Sequence, residues 1–222
     1  MLGCEPIVPF STHAPWTDDR DWQQMWSEFS KDTLVDHMRC YELWQLIPQV
    51  VALDGCLIEV GVWRGGTGAL IAYQARRARI ASPVYLCDTF TGIVKASDRD
   101  PHYSGGEHAD ASREHVQRLL TRHDLTNAVL LEGIFPDDTA SQIPEERVRF
   151  CHIDVDVYQS ARDVLEWVWP RLVPGGAIVF DDYGFATTPG VTRLVDEQRP
   201  VDDRFVVHNL NGHGIIVKMP TA

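Results

Sequence analysis

The stretch CLIEVGVWRGGT, residues 56–67, decides the fold of this chain. A continuous apolar run, interrupted only by Glu59, passes through a glycine-rich turn into residues 67–79, which have the spacing of a helix. The glycines allow the backbone to come close to a ligand, and the free N–H groups at the start of the helix favour a negative group such as a carboxylate. The stretch therefore predicts a strand, a ligand-binding turn and a helix.

One position separates this turn from a dinucleotide-binding fingerprint. Trp63 stands where that fingerprint needs a glycine, because a pyrophosphate has to press against the backbone there. Glu59, just before the turn, suits an ammonium group better than a pyrophosphate. An alternative interpretation is that the turn only packs the helix against the strand. Trp63 argues against a nicotinamide-dependent oxidoreductase, which is a competing function class for a sheet of this kind.

Apolar runs typical of strands recur along the chain at 56–62, 83–87, 127–131, 148–153, 177–180, 204–207 and 214–218. Helical stretches are predicted at 67–79, 110–123, 137–142, 158–172 and 190–198. This alternation predicts a mostly parallel sheet covered by helices on both faces. The last two runs are too close together for anything but an antiparallel pair. We therefore predict an α/β, Rossmann-like fold with a seven-stranded, mostly parallel sheet and a C-terminal antiparallel hairpin.

The chain divides into an N-terminal helical segment, 1–50, and an α/β domain, 51–222. Aromatic and apolar side chains at 22–29 share one helical stripe, and a second helix is predicted over 32–48. The stripe of that second helix consists of Leu34, Met38, Tyr41 and Ile47. The N-terminal segment either caps the core or forms a wall of the substrate pocket, and its tryptophans are candidates for contact with another subunit in a homo-oligomer.

Composition excludes several classes of partner. Lys and Arg number 20 against 32 Asp and Glu, a net charge of −12, which argues against binding to nucleic acid or to an anionic membrane surface. No apolar run approaches the ~20 residues that span a bilayer. The first ten residues lack the pattern of a signal peptide. Five scattered cysteines without a C-x-x-C pair predict a cytoplasmic protein with free thiols.

An acidic residue, Asp88, ends the second predicted strand. An acidic side chain at that point is placed to accept hydrogen bonds from both hydroxyls of a ribose. Aspartate is also common at strand ends for ordinary turn reasons, so Asp88 alone indicates little. Together with the glycine-rich turn it indicates an adenosyl ligand.

Four aspartates follow two other predicted strands: Asp154 and Asp156 after the fourth, and Asp181 and Asp182 after the fifth. The carboxyl ends of neighbouring parallel strands line one crevice, so these side chains are expected to converge. Carboxylates in one place repel one another unless a cation neutralises them, and hard oxygen ligands favour Mg²⁺, Mn²⁺ or Ca²⁺ over zinc. The alternative is that they form turns and cap helices. His152 is expected to pack within its strand.

At these residues the chain resembles the macrocin O-methyltransferase (TylF) family, which methylates sugar hydroxyls on natural products. The matching stretches are 59–67, 88–92, 132–137, 152–160 and 170–184. The resemblance implies a class I methyltransferase fold, S-adenosylmethionine as cofactor, and a role in natural product or antibiotic biosynthesis. It implies a small hydroxylated acceptor, with a glycosidic one expected. Catechol O-methyltransferase is similar in placing its metal ligands at the same two strand ends, so a catechol acceptor stays open.

The resemblance also implies a role for individual residues. Asp154, Asp181 and Asp182 would hold Mg²⁺ or Mn²⁺, and Asp156 would be the general base. The implied cofactor contacts are Glu59, Gly61, Val62, Trp63, Gly65, Thr67, Asp88, Thr89, Gly133, Ile134 and Asp154. An intact set of aspartates argues against a third class, a regulatory adenosyl-binding domain without chemistry.

The loop from Asp98 to Asp110 contains a Gly-Gly pair, two histidines and a tyrosine. Its length and glycine content predict either a lid that orders over the substrate or a mobile polar surface loop. His102 and His108 are alternative candidates for the catalytic base. The loop between Thr89 and Asp110 and the short N-terminal region depart from the family's usual form, so the resemblance does not fix the acceptor.

Overall fold

A computed structural model describes residues 11–220, and the expectations for the first ten residues lie outside this range. Its strands are β1 (Cys56–Val60), β2 (Val84–Asp88), β3 (Ala128–Glu132), β4 (Val148–Ile153), β5 (Leu172–Phe180), β6 (Arg204–His208) and β7 (Gly214–Lys218). They form one sheet in the order β3-β2-β1-β4-β5-β7-β6. β1 to β5 are parallel, and β7 runs antiparallel to β5 and β6. The predicted seven-stranded sheet with its antiparallel hairpin is confirmed.

Six α-helices surround the sheet: α1 (Arg20–Phe29), α2 (His37–Gln49), α3 (Gly66–Arg77), α4 (Arg113–Arg122), α5 (Tyr158–Val168) and α6 (Pro189–Asp196). α2 begins five residues later than predicted, because the Asp36 side chain caps it by accepting the N–H groups of Met38 and Arg39. α4 begins at Arg113 because the Ser112 side chain caps it in the same way. The helix predicted over 137–142 is only a short 3₁₀ turn.

The fifth strand differs from its prediction. Pro174, Gly175 and Gly176 predicted a turn before a strand at 177–180, but β5 already begins at Leu172. The ladder between β4 and β5 shifts register in this region, so the chain bulges out of the strand and rejoins it at Ala177. α5 ends at Val168, before β5 begins, instead of continuing to residue 172 as predicted.

Apolar side chains on the two faces of the sheet form two cores. On one face, Leu57 of β1 packs with residues of α1, α2, α3 and α4. On the other face, its neighbour Ile58 packs with residues of α5 and α6. Helices thus cover both faces, as the continuous apolar strands predicted. No helix within residues 11–220 is both long and apolar enough to cross a membrane.

The N-terminal helices belong to the first of these cores. Trp22 of α1 is fully buried, with its ring 5.7 Å from that of Trp44 on α2 and stacked on Trp26. The predicted stripe of α2 is wrong in part, because Leu34 is 62% and Met38 41% exposed. The buried positions of α2 are Arg39, Cys40, Tyr41, Leu43, Trp44 and Ile47. Leu34 lies before the start of the helix, whereas Tyr41 and Ile47 are buried as predicted.

Gly61 lies where the chain just after β1 packs against the chain just after β4. Its φ is +89°, and a Cβ there would lie 1.6 Å from the backbone oxygen of Asp154. We expect Gly61→Ala to lower the free energy of unfolding by roughly 3 kcal/mol or more, because the strand ends would have to separate. Urea denaturation measures this loss.

Gly106→Ala is the matched control: its φ is +88° but a Cβ there meets nothing within 4 Å, so a loss of about 1–2 kcal/mol is expected. Equal losses in the two variants would contradict the steric argument.

Candidate active site

A cavity of about 270 Å³ lies at the carboxyl ends of the parallel strands, where the strand order reverses between β1 and β4. Open α/β sheets bind ligands at this point. The strand ends and the turns after them supply most of the wall. The N-terminal segment contributes Thr33, Leu34, Val35 and Arg39. This segment therefore both caps the core and forms a wall of the cavity.

Most residues predicted to contact the cofactor line this cavity. They are Gly61, Val62, Trp63, Thr67, Asp88, Thr89, Gly133, Ile134 and Asp154. Gly65 does not; it packs against Val116 of α4. Glu59 is fully buried behind the cavity wall, where its Oε1 lies 2.9 Å from Nδ1 of His152. Its Oε2 has no hydrogen-bond partner within residues 11–220, so a contact of Glu59 with the cofactor stays a prediction.

Asp88 holds the glycine-rich turn in place. Its Oδ2 accepts the backbone N–H groups of Val62 at 2.6 Å and Trp63 at 2.8 Å, and its Oδ1 accepts that of Phe90. Trp63 has a φ of +48°, an uncommon conformation for a bulky residue that these bonds stabilise. Its indole N–H donates to Asp110. Asp88 thus shapes the turn as well as facing the cavity.

The predicted metal ligands converge. Asp154, Asp181 and Asp182 each offer an oxygen, and these atoms lie within 4.8 Å of one another. Burial, together with the neighbouring carboxylates, holds the pKa values of Asp154 and Asp182 well above their usual range. Within residues 11–220 no donor hydrogen-bonds to the Asp154 carboxylate. A set of hard, crowded oxygen atoms whose ionisation is opposed by burial and by one another fits a divalent cation such as Mg²⁺ or Mn²⁺.

Asp181 differs from the other two in having protein partners on both oxygens. Its Oδ1 lies 2.9 Å from Nε2 of His213, and its Oδ2 accepts a hydrogen bond from the Arg39 guanidinium. Burial alone would raise the pKa of Asp181, but the histidines and Arg39 hold it below its usual range. Burial alone would lower the pKa of His152, but Asp181 and Glu59 raise it to about 9. His152 packs within β4, as expected.

Arg39 and His213 were missed by sequence reasoning. Arg39 carries one usable signal, since it is a charged residue among the buried positions of α2. His213 lies just before β7, and no pattern in the sequence around it indicates a role in the site. Its Nδ1 lies 2.6 Å from Oε2 of Glu42, which also belongs to α2. The structure therefore surrounds Asp181 with groups from elements that are remote in the sequence.

The loop before α4 is held to the domain at several points. The buried Asp100 accepts the first N–H of α5 at Tyr158, 2.8 Å away, and Lys95 donates to Asp163 at 2.6 Å. Tyr103 donates its hydroxyl to Oδ1 of Asp156 at 2.7 Å, so the loop covers the predicted base. Of the two histidines considered as bases, His108 lines the cavity, whereas His102 is exposed and is not among the lining residues.

Two characterised relatives are similar over most of the chain. Mycinamicin III 3''-O-methyltransferase of Micromonospora griseorubida is 34% identical over 163 residues, which cover 66% of this chain and 61% of that protein. The 8-demethyl-8-(2,3-dimethoxy-alpha-L-rhamnosyl)-tetracenomycin-C 4'-O-methyltransferase of Streptomyces olivaceus is 32% identical over 177 residues, 74% of this chain and 65% of that protein. The chain thus spans less than two thirds of the length of these relatives.

Comparison with solved structures also finds an O-methyltransferase. The O-methyltransferase NovP superposes with a TM-score of 0.73 at 25% identity, covering 86% of this chain and 83% of NovP. The sheet order and the terminal hairpin are those of a class I O-methyltransferase fold. The model of the macrocin-O-methyltransferase (TylF) family matches residues 9–207, a span that contains the glycine-rich turn and all four aspartates. This chain therefore belongs to the macrocin-O-methyltransferase (TylF) family.

Proposed function

We propose that this protein transfers a methyl group from S-adenosylmethionine to a hydroxyl of a small molecule, and that the acceptor is a sugar attached to a natural product. The observation that carries the proposal is one cavity lined both by the glycine-rich turn with Asp88 and by the aspartate cluster. The names of the two relatives support a glycosylated acceptor, since one acts on mycinamicin III and the other on a rhamnosyl-substituted tetracenomycin.

We assign the cofactor to the half of the cavity formed by β1, β2 and β3. Asp88 would accept a ribose hydroxyl, because its carboxylate lines the cavity and Oδ1 keeps one lone pair beyond those used by the backbone N–H groups. Gly133 and Ile134 would lie beside the adenine. The turn that follows β1 would face the carboxylate end of the cofactor through free backbone N–H groups at the start of α3.

We assign the metal to Asp154, Asp181 and Asp182, with Asp156 as general base. A bound divalent ion would lower the pKa of an acceptor hydroxyl. Tyr103 occupies Oδ1 of Asp156, so Oδ2 is the atom assigned to receive the hydroxyl proton. The walls hold the two reactants together, and such positioning contributes up to roughly 7–11 kcal/mol to lowering a barrier.

The acceptor would enter beside the N-terminal segment. Leu34 lines the cavity although its side chain is largely exposed, which is the position of a contact surface for an apolar body. A sugar would then reach the aspartates while the rest of the natural product rests against this side of the mouth.

Ligand binding and product analysis test the proposal together. In isothermal titration calorimetry we expect S-adenosylhomocysteine to bind and NAD to give no heat. With S-adenosylmethionine and Mg²⁺, a glycosylated polyketide should gain one methyl group on its sugar, as seen by mass spectrometry, while the aglycone should not. Binding of NAD without binding of S-adenosylhomocysteine would instead indicate an oxidoreductase. Methylation of the aglycone alone would exclude a sugar acceptor.

Asp88→Ala is expected to raise the dissociation constant of S-adenosylhomocysteine at least ~10-fold, about 1.4 kcal/mol. The variant loses both the ribose contact and the bonds that hold the turn at Val62 and Trp63. Glu132→Gln is the matched control, because Glu132 pairs in register with Asp88 at the end of β3 but does not line the cavity. Equal affinities of the Asp88 variant and the wild-type protein would remove Asp88 from the cofactor site.

A further inference from the structure

Helix α2 contacts the aspartate cluster through two side chains one turn apart. The guanidinium of Arg39 donates to Asp181 and lies 3.5 Å from Oδ1 of Asp182. Glu42, three residues later on the same face of the helix, binds His213, and His213 binds the other oxygen of Asp181. The N-terminal segment therefore contacts the Asp181 carboxylate both directly, through Arg39, and indirectly, through His213.

Arg39 is buried and has further contacts besides those with the aspartates. Only 6% of it is exposed, its Nε donates to Oδ2 of Asp36 at 2.7 Å, and its guanidinium lies 4.9 Å from the centre of the Phe185 ring. A buried charge is stable only when it is paired, and Asp181 with Asp182 supplies that pairing. Arg39 is thus a built-in positive charge of the cluster.

A divalent cation on these aspartates would share oxygens with Arg39. Mg²⁺ binds carboxylate oxygens at about 2.0–2.1 Å, so an ion on Asp181 and Asp182 would come to within about 4–6 Å of the guanidinium. Two positive charges at that separation repel one another strongly where water is excluded. Both would also neutralise the same two carboxylates. Each cation should therefore weaken the binding of the other.

We propose that Arg39 is a resident counter-ion that competes with the divalent metal for Asp181 and Asp182. In the metal-free protein it keeps the two carboxylates together, and on metal binding its guanidinium gives up contact with them while its bond to Asp36 remains. This inference rests on the proposed metal site. If Arg39 moves when the metal binds, α2 and the adjacent cavity wall at Thr33 to Val35 change position with it.

The test compares Mn²⁺ affinity in wild-type protein and two variants by electron paramagnetic resonance of free Mn²⁺, with no acceptor or turnover required. Arg39→Gln removes the competing charge, and we expect its dissociation constant for Mn²⁺ to fall at least ~10-fold. Arg149→Gln is the matched control: Arg149 is equally buried, at 6%, but bonds to the backbone oxygen of Gly55 and does not line the cavity. Its affinity should equal that of the wild type.

The possible outcomes distinguish a failure of the proposed role of Arg39 from a failure of the proposed metal site. Mn²⁺ binding that is unchanged or weaker in Arg39→Gln would overturn the role of Arg39 and leave the metal site standing. No Mn²⁺ binding by the wild type or by either variant would overturn both.

If Arg39→Gln does not fold, the wild-type protein with ¹⁵N-labelled arginine gives the same answer. Mg²⁺ should shift the Nη–H resonances of Arg39, which donate to Asp181 and are identified by their loss in the charge-retaining Arg39→Lys, and leave those of Arg149 in place. An unmoved Arg39 resonance at saturating Mg²⁺ would overturn the inference.

Discussion

Asp156→Asn is expected to slow methyl transfer by ~10²–10⁴-fold while the affinities for cofactor and metal stay close to those of the wild type. The amide has the shape of the carboxylate and still accepts the hydroxyl of Tyr103, but it takes up no proton. Asp156 is not one of the three residues whose oxygens cluster as metal ligands, so metal binding should survive. Single-turnover kinetics at saturating acceptor measure the chemical step, and calorimetry measures the two affinities.

His108→Gln is the informative companion to this variant. His108 lines the same cavity and is the remaining alternative base. We expect it to retain most of the single-turnover rate. The reverse pattern, a fast Asp156→Asn and a slow His108→Gln, would assign the proton to the histidine and reject the carboxylate.

Asp182→Asn is expected to lose metal-dependent activity by ~10²-fold or more and to weaken Mn²⁺ binding. Asp182 is the better test of the metal site than Asp181, because Asp181→Ala would also remove one of the partners of the buried Arg39 and of His213. Asp181→Ala should be inactive as well, with excess Mg²⁺ restoring only part of the rate. Activity assays with and without a chelator, alongside Mn²⁺ titration, measure both effects.

A remote surface aspartate provides the control for the metal experiment. Asp54 pairs with the exposed Arg147 and does not line the cavity, so Asp54→Asn should behave as the wild type. Full activity of the wild type in chelator would rule out catalysis by a metal. In that case the Asp181 carboxylate would be neutralised by protein groups, namely Arg39 and His152.

The central strands β1, β2 and β4 could be predicted to within a few residues because they are buried on both faces. A strand covered by helices on either side shows a continuous apolar run, and such runs end where the chain leaves the core. β5 was misplaced because Pro174 and the two glycines after it have the composition of a turn. Whether such a segment turns or bulges depends on the pairing with β4, which local composition does not encode.

Convergence of the four aspartates also followed from sequence, since residues just after neighbouring parallel strands share one edge of the sheet. The side-chain partner of Glu59 did not. Oε1 of Glu59 lies beside His152 because the register of β1 with β4 places the two residues opposite each other. That pairing depends on two strands that are far apart in the sequence.

The linear chain by itself determined the sheet, its hairpin, the glycine-rich turn and the four carboxylates, because each depends on neighbours within a few residues. Only the tertiary structure decided what neutralises those carboxylates. Arg39 lies 142 positions from Asp181 along the chain, and His213 lies 32 positions away. They meet because α2 and the terminal hairpin pack at the same sheet edge, where a buried negative charge has to find a positive partner.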